Sequence, residues 1–128
     1  MARSRRAGIA GARQRVKSAN AYLVLDDDRS EMPAVAAGLA VLAGVAASDA
    51  ICALRLGKIH RGESHREAAE LLREATADGK RLAATLLKLL DIKDEAHYGL
   101  VVVPVRKARD AVRWAQILTT RANEELAR

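Results

Sequence analysis

The chain has very few aromatic residues: it contains no phenylalanine, one tryptophan and two tyrosines among 128 residues. Half of its residues are nevertheless hydrophobic, so the core must be built from alanine, leucine, valine and isoleucine. Small side chains of this kind suit helices that approach one another closely. The composition also lacks the low hydrophobicity that is typical of disordered proteins. A chain of this length and composition predicts one domain with a substantial core.

Cysteine is equally scarce, because Cys52 is the only one in the sequence. A single cysteine excludes an internal disulfide and a cysteine-based zinc site, and it suits a reducing compartment. The basic residues at the N-terminus are not followed by the apolar segment and cleavage site of a signal peptide. The apolar run from Ala34 to Ala47 is too short to span a bilayer, and Asp49 closes it. We therefore expect a cytoplasmic protein without membrane association.

Several motifs with established chemistry are missing from the sequence. It has no Walker loop and no GxGxxG pattern, and its three histidines and one cysteine have neither HExxH nor CxxC spacing. The absence of these motifs predicts that the protein has no dedicated metal site and needs no cofactor. No serine stands in a nucleophile-elbow context, which argues against a Ser-His-Asp hydrolase.

The net charge of +6 is concentrated near the N-terminus. Residues 1–17 carry six basic side chains and no acidic one, whereas the rest of the chain has equal numbers of both. We therefore divide the sequence into a basic N-terminal arm with the start of the first helix, residues 1–17, and a single helical bundle domain, residues 18–128. The arm is interpreted either as a non-specific contact for nucleic-acid phosphates or as a solvated terminus.

Apolar residues recur at helical spacing in five segments, which predicts a compact all-α bundle of about five helices. The expected helices cover roughly residues 7–25, 33–56, 65–78, 82–98 and 104–126. Ser64 and Glu67 have the spacing of a capping box at the start of the third helix, and Asp78-Gly79 is expected to end it. The β-prone residues 100–103 have no partner strand, so we expect a buried extended connection before Pro104.

The second predicted helix is the most apolar segment and is hydrophobic on nearly all sides, which indicates a central helix packed by the others. Asp49 lies in its C-terminal half. A carboxylate there either points to solvent or needs a partner, because burying an unpaired charge is costly. Lys93 and His97, on the fourth helix, are the partners that we predict for it.

Candidate site residues are concentrated where the fourth helix ends. Lys93 and His97 are four residues apart and share one helix face, and Tyr98 follows. His97 could act as a general acid or base, Lys93 could stabilise a phosphate charge, and Tyr98 could stack on a base. The alternative is a solvated helix face with two half-buried packing residues. With Asp49, these side chains form one hypothetical polar cluster.

His65 is a further candidate ligand-binding residue. It directly follows the predicted cap residue Ser64, at the start of the third helix. Its alternative role is to support that cap.

Three segments of the chain occur in a recognisable order. They are the end of the Ala-rich second helix, Ala50-Ile51-Cys52-Ala53-Leu54; the loop Gly62-Glu63-Ser64-His65 before an amphipathic helix; and the run Lys93-Asp94-Glu95-Ala96-His97-Tyr98-Gly99 before the last helix. In this order they resemble the HEPN superfamily, small helical domains of prokaryotic toxin–antitoxin and defence systems. The resemblance covers roughly Ala34 to Leu126.

The resemblance implies an α-helical bundle that forms a homodimer, with paired sites facing a shared cleft. Active HEPN members are metal-independent ribonucleases that use an Arg-x4–6-His motif near the last long helices. In toxin–antitoxin pairs the partner is a minimal nucleotidyltransferase. Other members lack the motif and serve as binding or assembly modules.

The sequence departs from the ribonuclease motif. Lys93 stands where the family has arginine, and His97 follows it after only three residues; a lysine cannot grip phosphate with a planar fork. One Arg-x4-His match, Arg55 to His60, lies at the end of the second helix instead of near the last ones. The sequence therefore favours a non-catalytic HEPN-like homodimer that binds a partner. The alternative is a metal-independent ribonuclease that uses His97 and Lys93 on RNA.

Overall fold

The computed structural model describes residues 2–27, 33–60, 62, 64–97 and 103–128, and the side chains within them other than those of residues 2–9, 25–27 and 94–97. This part of the chain forms five α-helices and no strand. The helices are α1 (Ala2–Asp27), α2 (Pro33–Leu56), α3 (His65–Ala75), α4 (Gly79–His97) and α5 (Val105–Ala127). The predicted all-α bundle of about five helices is confirmed.

α2 is the central helix, as its composition predicts. It contacts each of the other four helices, most extensively α1 and α5. Half of its 24 residues are buried, most of them alanines, so neighbouring backbones come close. At Gly44 an added methyl group would overlap the side chain of Leu89. The absence of a large residue at this position therefore allows α4 to pack against α2.

The helix boundaries differ from the predictions mainly at two places. α1 begins at Ala2 and runs unbroken across residue 17, so the arm and the first helix are continuous. α3 ends at Ala75, and Gly79 begins α4 and does not end α3. Ser64 caps α3 as predicted, with its hydroxyl oxygen accepting a hydrogen bond of 3.2 Å from the Glu67 backbone N–H.

The connection before α5 is described in part. Val103 is buried and precedes Pro104, which occupies the N-cap of α5. Residues 100–102 of the predicted extended connection lie outside the described residues.

Among the described helices, α2 is long and apolar enough to cross a membrane on length and composition alone. However, 61% of the apolar window that passes this test is buried inside the bundle. The core helix of a globular protein has the same properties, and the burial explains the apolar composition of α2 without a bilayer.

Candidate functional site

A cavity of about 150 Å³ lies at the N-terminal end of α3, and we call it the α3 pocket. Three helices and one connection contribute the residues that line it. They are Val45, Ser48 and Asp49 from α2, His60 and Gly62 from the connection, Ser64, His65 and Ala68 at the start of α3, and Leu86, Leu90 and Lys93 from α4. The pocket thus has apolar walls together with two imidazoles, one ammonium group, one carboxyl group and two hydroxyls.

Helical spacing explains why the pocket residues of α2 and α4 face the same cavity. Residues 45, 48 and 49 share one face of α2, and residues 86, 90 and 93 share one face of α4. The two faces meet because both helices bury the remainder of their apolar surface against the same core. The apolar walls of the pocket are therefore continuous with the hydrophobic core. Asp49 of α2 and Lys93 of α4 lie on the same helix faces as these apolar residues, outside the core.

The connection between α2 and α3 brings His60 to the pocket. Gly57 has a φ of +70°, a conformation that glycine adopts without steric cost. Its N–H bonds to the Ala53 carbonyl oxygen at 3.0 Å and thereby closes the end of α2. The chain then turns towards α3 and passes His60 before it reaches the Ser64 cap.

His60 is held close under Gly62. A methyl group on Gly62 would lie 3.3 Å from the Cε1 atom and 3.4 Å from the Nε2 atom of the His60 ring. The Nε2 atom is buried and has no hydrogen-bond partner among the described residues. This nitrogen is closed off from the open space of the cavity, so the His60 ring lines the α3 pocket with its other atoms.

Asp49 is partly buried, and its surroundings set its protonation. Burial raises the pKa of the Asp49 carboxyl group, while the positive charges of Arg15 and His60 oppose the increase. We predicted Lys93 or His97 as its partner. Lys93 lines the same cavity, but among the described residues the charges that lower the pKa of Asp49 are those of Arg15 on α1 and of His60.

Arg15 was missed as a site residue because the sequence places it within the basic arm. Its role depends on α1 lying along α2 with this face towards Asp49, which no local pattern shows. The side chain lies back over Gly11, where an added methyl group would come within 2.7 Å of its Nη1 atom. Gly11 therefore leaves the space that the guanidinium of Arg15 occupies.

Cys52 lies one turn beyond Asp49 and is buried. Burial and the nearby Asp49 charge raise the pKa of the thiol to about 12. The sulfur is therefore protonated near neutral pH, which rules out a thiolate nucleophile at this position.

The structure brings together three of the five predicted site residues. Asp49, His65 and Lys93 all line the α3 pocket. The side chain of His97, the last residue of α4, and the whole of Tyr98 lie outside the described residues. His60, which had been set aside, lies in the pocket instead. In the described part of the chain, no three His, Cys, Asp or Glu side chains are gathered as a metal ion would require.

The other member of the Arg-x4-His match, Arg55, points to a different group of residues. Its Nε donates to the Ala75 carbonyl oxygen at 3.2 Å, and its Nη1 lies 3.6 Å from the carboxylate of Glu125. Arg55 is not among the residues that line the α3 pocket. Arg55 therefore links the C-terminal end of α2 to the C-terminal ends of α3 and α5 through these two contacts.

A second surface feature runs along α2 and leads to the α3 pocket. Apolar residues at alternating intervals of three and four form an exposed or half-buried stripe, which we call the α2 seam: Val35, Gly38, Leu42 and Val45. Leu42 is 50% exposed and Val35 is 39% exposed. Spacing of this kind is typical of a helix that packs lengthwise against another helix.

No protein-family model, no curated protein and no solved structure matches this chain.

Proposed function

We propose that the protein is an HEPN-like helical homodimer that acts as a non-catalytic binding or assembly module, in the setting of a toxin–antitoxin or defence system. The exposed apolar α2 seam is the observation that supports the proposed homodimer. The HEPN-like role rests on the sequence resemblance and on its agreement with an all-α bundle.

The seam has the properties of a helix-packing surface. No charged residue occurs on α2 between Pro33 and Ser48, so no ionised side chain would be desolvated by a partner there. A methyl group on Gly38 would meet nothing within 4 Å, which leaves room for the backbone of a facing helix. A second copy of α2 offers the same apolar, small-residue stripe, as an isologous interface requires.

The described residues give less support to catalysis. Lys93 supplies a point charge where the family motif has a planar guanidinium. Arg55 is engaged with Glu125 and the Ala75 carbonyl group, and Cys52 is buried and protonated. These features favour binding over bond cleavage.

The partners that we propose follow from the resemblance and from charge. A minimal nucleotidyltransferase-type antitoxin is the protein partner expected of such a module, and co-purification from cells that express both chains would test it. RNA is a second possible partner, because Arg13 and Lys17 are exposed on α1 and can contact phosphates. A cytoplasmic location fits both partners and the single cysteine.

Light scattering coupled to gel filtration tests the dimer. We expect the wild-type protein to have the mass of two chains and the Leu42→Glu variant to have the mass of one. Ile117→Glu is the matched control, because Ile117 is 41% exposed on α5, outside the seam, and this variant should remain dimeric. Circular dichroism confirms that each variant is folded. A monomeric wild-type protein, or equal loss of the dimer in both variants, would contradict the proposal.

The metal-independent ribonuclease with His97 and Lys93 remains the second candidate. Lys93 lines the α3 pocket, and its ammonium group can stabilise a phosphate charge without a metal. The histidines that line this pocket are His60 and His65, whereas the side chain of His97 lies outside the described residues. The test is to measure RNA cleavage in the presence of EDTA for the wild-type protein and for the His97→Ala and Lys93→Ala variants. Equal activity in all three, or none in any, would reject it.

A further inference from the structure

We propose that the α3 pocket binds a phosphate monoester, with the terminal phosphate inside the pocket and the ester substituent towards solvent. The inference concerns one protomer and is independent of the dimer proposed above. Four groups from different parts of the chain carry it: His60, Lys93, the N-terminal end of α3, and Asp49.

Two of these groups, Lys93 and the start of α3, favour a negative charge, and the imidazole of His60 lies beside them. His60 and the exposed Lys93 both line the cavity. Ser64 and His65 place the start of α3 at the wall. The first backbone N–H groups of a helix have no partner within the helix, and the helix dipole favours a negative charge there.

The cavity is large enough for a small anion. Its volume of about 150 Å³ is well above the roughly 10–15 Å³ that a cavity needs to hold one water molecule. This space suits one phosphate group with a few atoms of its substituent. A phosphodiester within a nucleic-acid chain must leave the site on two sides, whereas a terminal phosphate needs a single opening.

Asp49 supplies the feature that distinguishes a monoester from other anions. The second pKa of a phosphate monoester is about 6, so near that pH a large fraction carries a P–O–H group. This group can donate a hydrogen bond to the Asp49 carboxylate. Sulfate and phosphodiesters have no such proton, and their oxygens would face a carboxylate that only accepts. The apolar walls formed by Val45, Leu86 and Leu90 strengthen these contacts by excluding water.

Isothermal titration calorimetry at about pH 6, where the P–O–H form is abundant, tests the selectivity. The probes are inorganic phosphate, methyl phosphate, sulfate and dimethyl phosphate. We expect the first two to bind and the last two to bind about tenfold more weakly or not at all. Absence of phosphate binding, or sulfate binding as tight as phosphate binding, would overturn the proposal.

Two variants assign the effect to residues. Lys93→Ala should weaken phosphate binding about tenfold. Lys88→Ala removes another exposed lysine of α4, which lies over the ring of Trp114 on α5, and should leave the binding unchanged. Asp49→Asn should abolish the preference for phosphate over sulfate, because an amide donates as well as accepts. Unchanged binding in Lys93→Ala, or an unchanged preference in Asp49→Asn, would contradict the assignment.

If the Asp49→Asn variant does not fold, ligand binding to the wild-type protein can still be tested by NMR. The imidazole resonances of the three histidines can be followed by NMR during titration. The resonance that is lost in His60→Gln is expected to shift with methyl phosphate and not with dimethyl phosphate. No shift with methyl phosphate, or equal shifts with both probes, would count against the site.

Discussion

The Nη1 atom of Arg121 lies 2.8 Å from the Oε1 atom of Glu125, one turn further along α5. The guanidinium and the carboxylate form an ion pair. The Glu125 side chain is only 2% exposed, and Arg55 and Arg128 approach the same carboxylate at 3.6 and 3.7 Å. Three arginines therefore surround one buried acid where α2 and α5 end.

We expect Glu125→Ala to be strongly destabilising, because it leaves the arginines around a buried position without their common partner. The arginines that remain are 42%, 15% and 63% exposed and Arg121 keeps Asp78 as a partner, so we expect a loss of about 1–3 kcal/mol of unfolding free energy. Glu124→Ala removes the exposed neighbour and should change the free energy by less than about 0.5 kcal/mol. Urea denaturation of both variants checks the prediction, and similar losses in the two would refute it.

Stability in acid should depend on Asp78. Hydrogen bonds from Arg121, at 3.0 and 3.4 Å, hold the pKa of Asp78 at about 2, below its ordinary value of 3.8. The folded pKa is the lower one, so the stabilisation is present above about pH 4 and is lost as the pH falls towards 2. A shift of this size corresponds to roughly 1–2 kcal/mol after allowance for the partly exposed side chain.

Asp78→Asn should therefore lower the unfolding free energy at pH 7 and flatten its decline between about pH 4 and pH 2. Asp91→Asn, which removes an exposed carboxylate of α4, is the control. Denaturation midpoints across this pH range provide the measurement. An acid decline in Asp78→Asn as steep as that of the wild-type protein would show that the contact with Arg121 does not stabilise the fold.

The Cys52 thiol should be unreactive in the folded protein. It is 2% exposed, and burial and the Asp49 charge raise its pKa to about 12, so both access and thiolate formation are suppressed. We expect no labelling by a thiol-specific disulfide reagent at pH 8, and one equivalent of labelling after denaturation. Labelling of the native protein at the rate of the denatured protein would be inconsistent with this packing.

Gly79 and Gly38 should respond in opposite ways to a methyl group. A methyl group on Gly79 would overlap the backbone carbonyl of Arg73, whereas one on Gly38 would meet nothing within 4 Å. Gly79→Ala should cost about 1–3 kcal/mol or more because backbone atoms must move. Gly38→Ala should stabilise the helix by up to about 1 kcal/mol.

Thermal unfolding of both glycine variants tests this difference. The comparison is best made in the Leu42→Glu background, so that any dimer along the α2 seam does not contribute. A loss of stability in Gly38→Ala equal to that in Gly79→Ala would mean that local helix propensity and space do not control these positions.

The all-α architecture and the central position of α2 could both be predicted from the sequence. Apolar spacing identifies each amphipathic helix, and a segment that is apolar on nearly all sides must be surrounded by others. The Ser64 cap and the start of α2 at Pro33 were predictable for the same reason, because capping and proline chemistry act within a few residues. Asp49, Lys93 and His97 were predicted to form one polar cluster because α2 and α4 should both line the core. Asp49 and Lys93 both line the α3 pocket, whereas the side chain of His97 lies outside the described residues.

Which side chains meet at the α3 pocket depends on how the helices pack against one another. Arg15 acts on Asp49 because α1 lies along α2, and His60 enters because the connection turns after Gly57; neither relationship follows from spacing within a single helix. The cluster of Arg55, Arg121 and Glu125 joins the ends of two helices that are far apart in sequence. Local interactions fix the helices, whereas their packing fixes which polar groups are buried together and therefore where a ligand could bind.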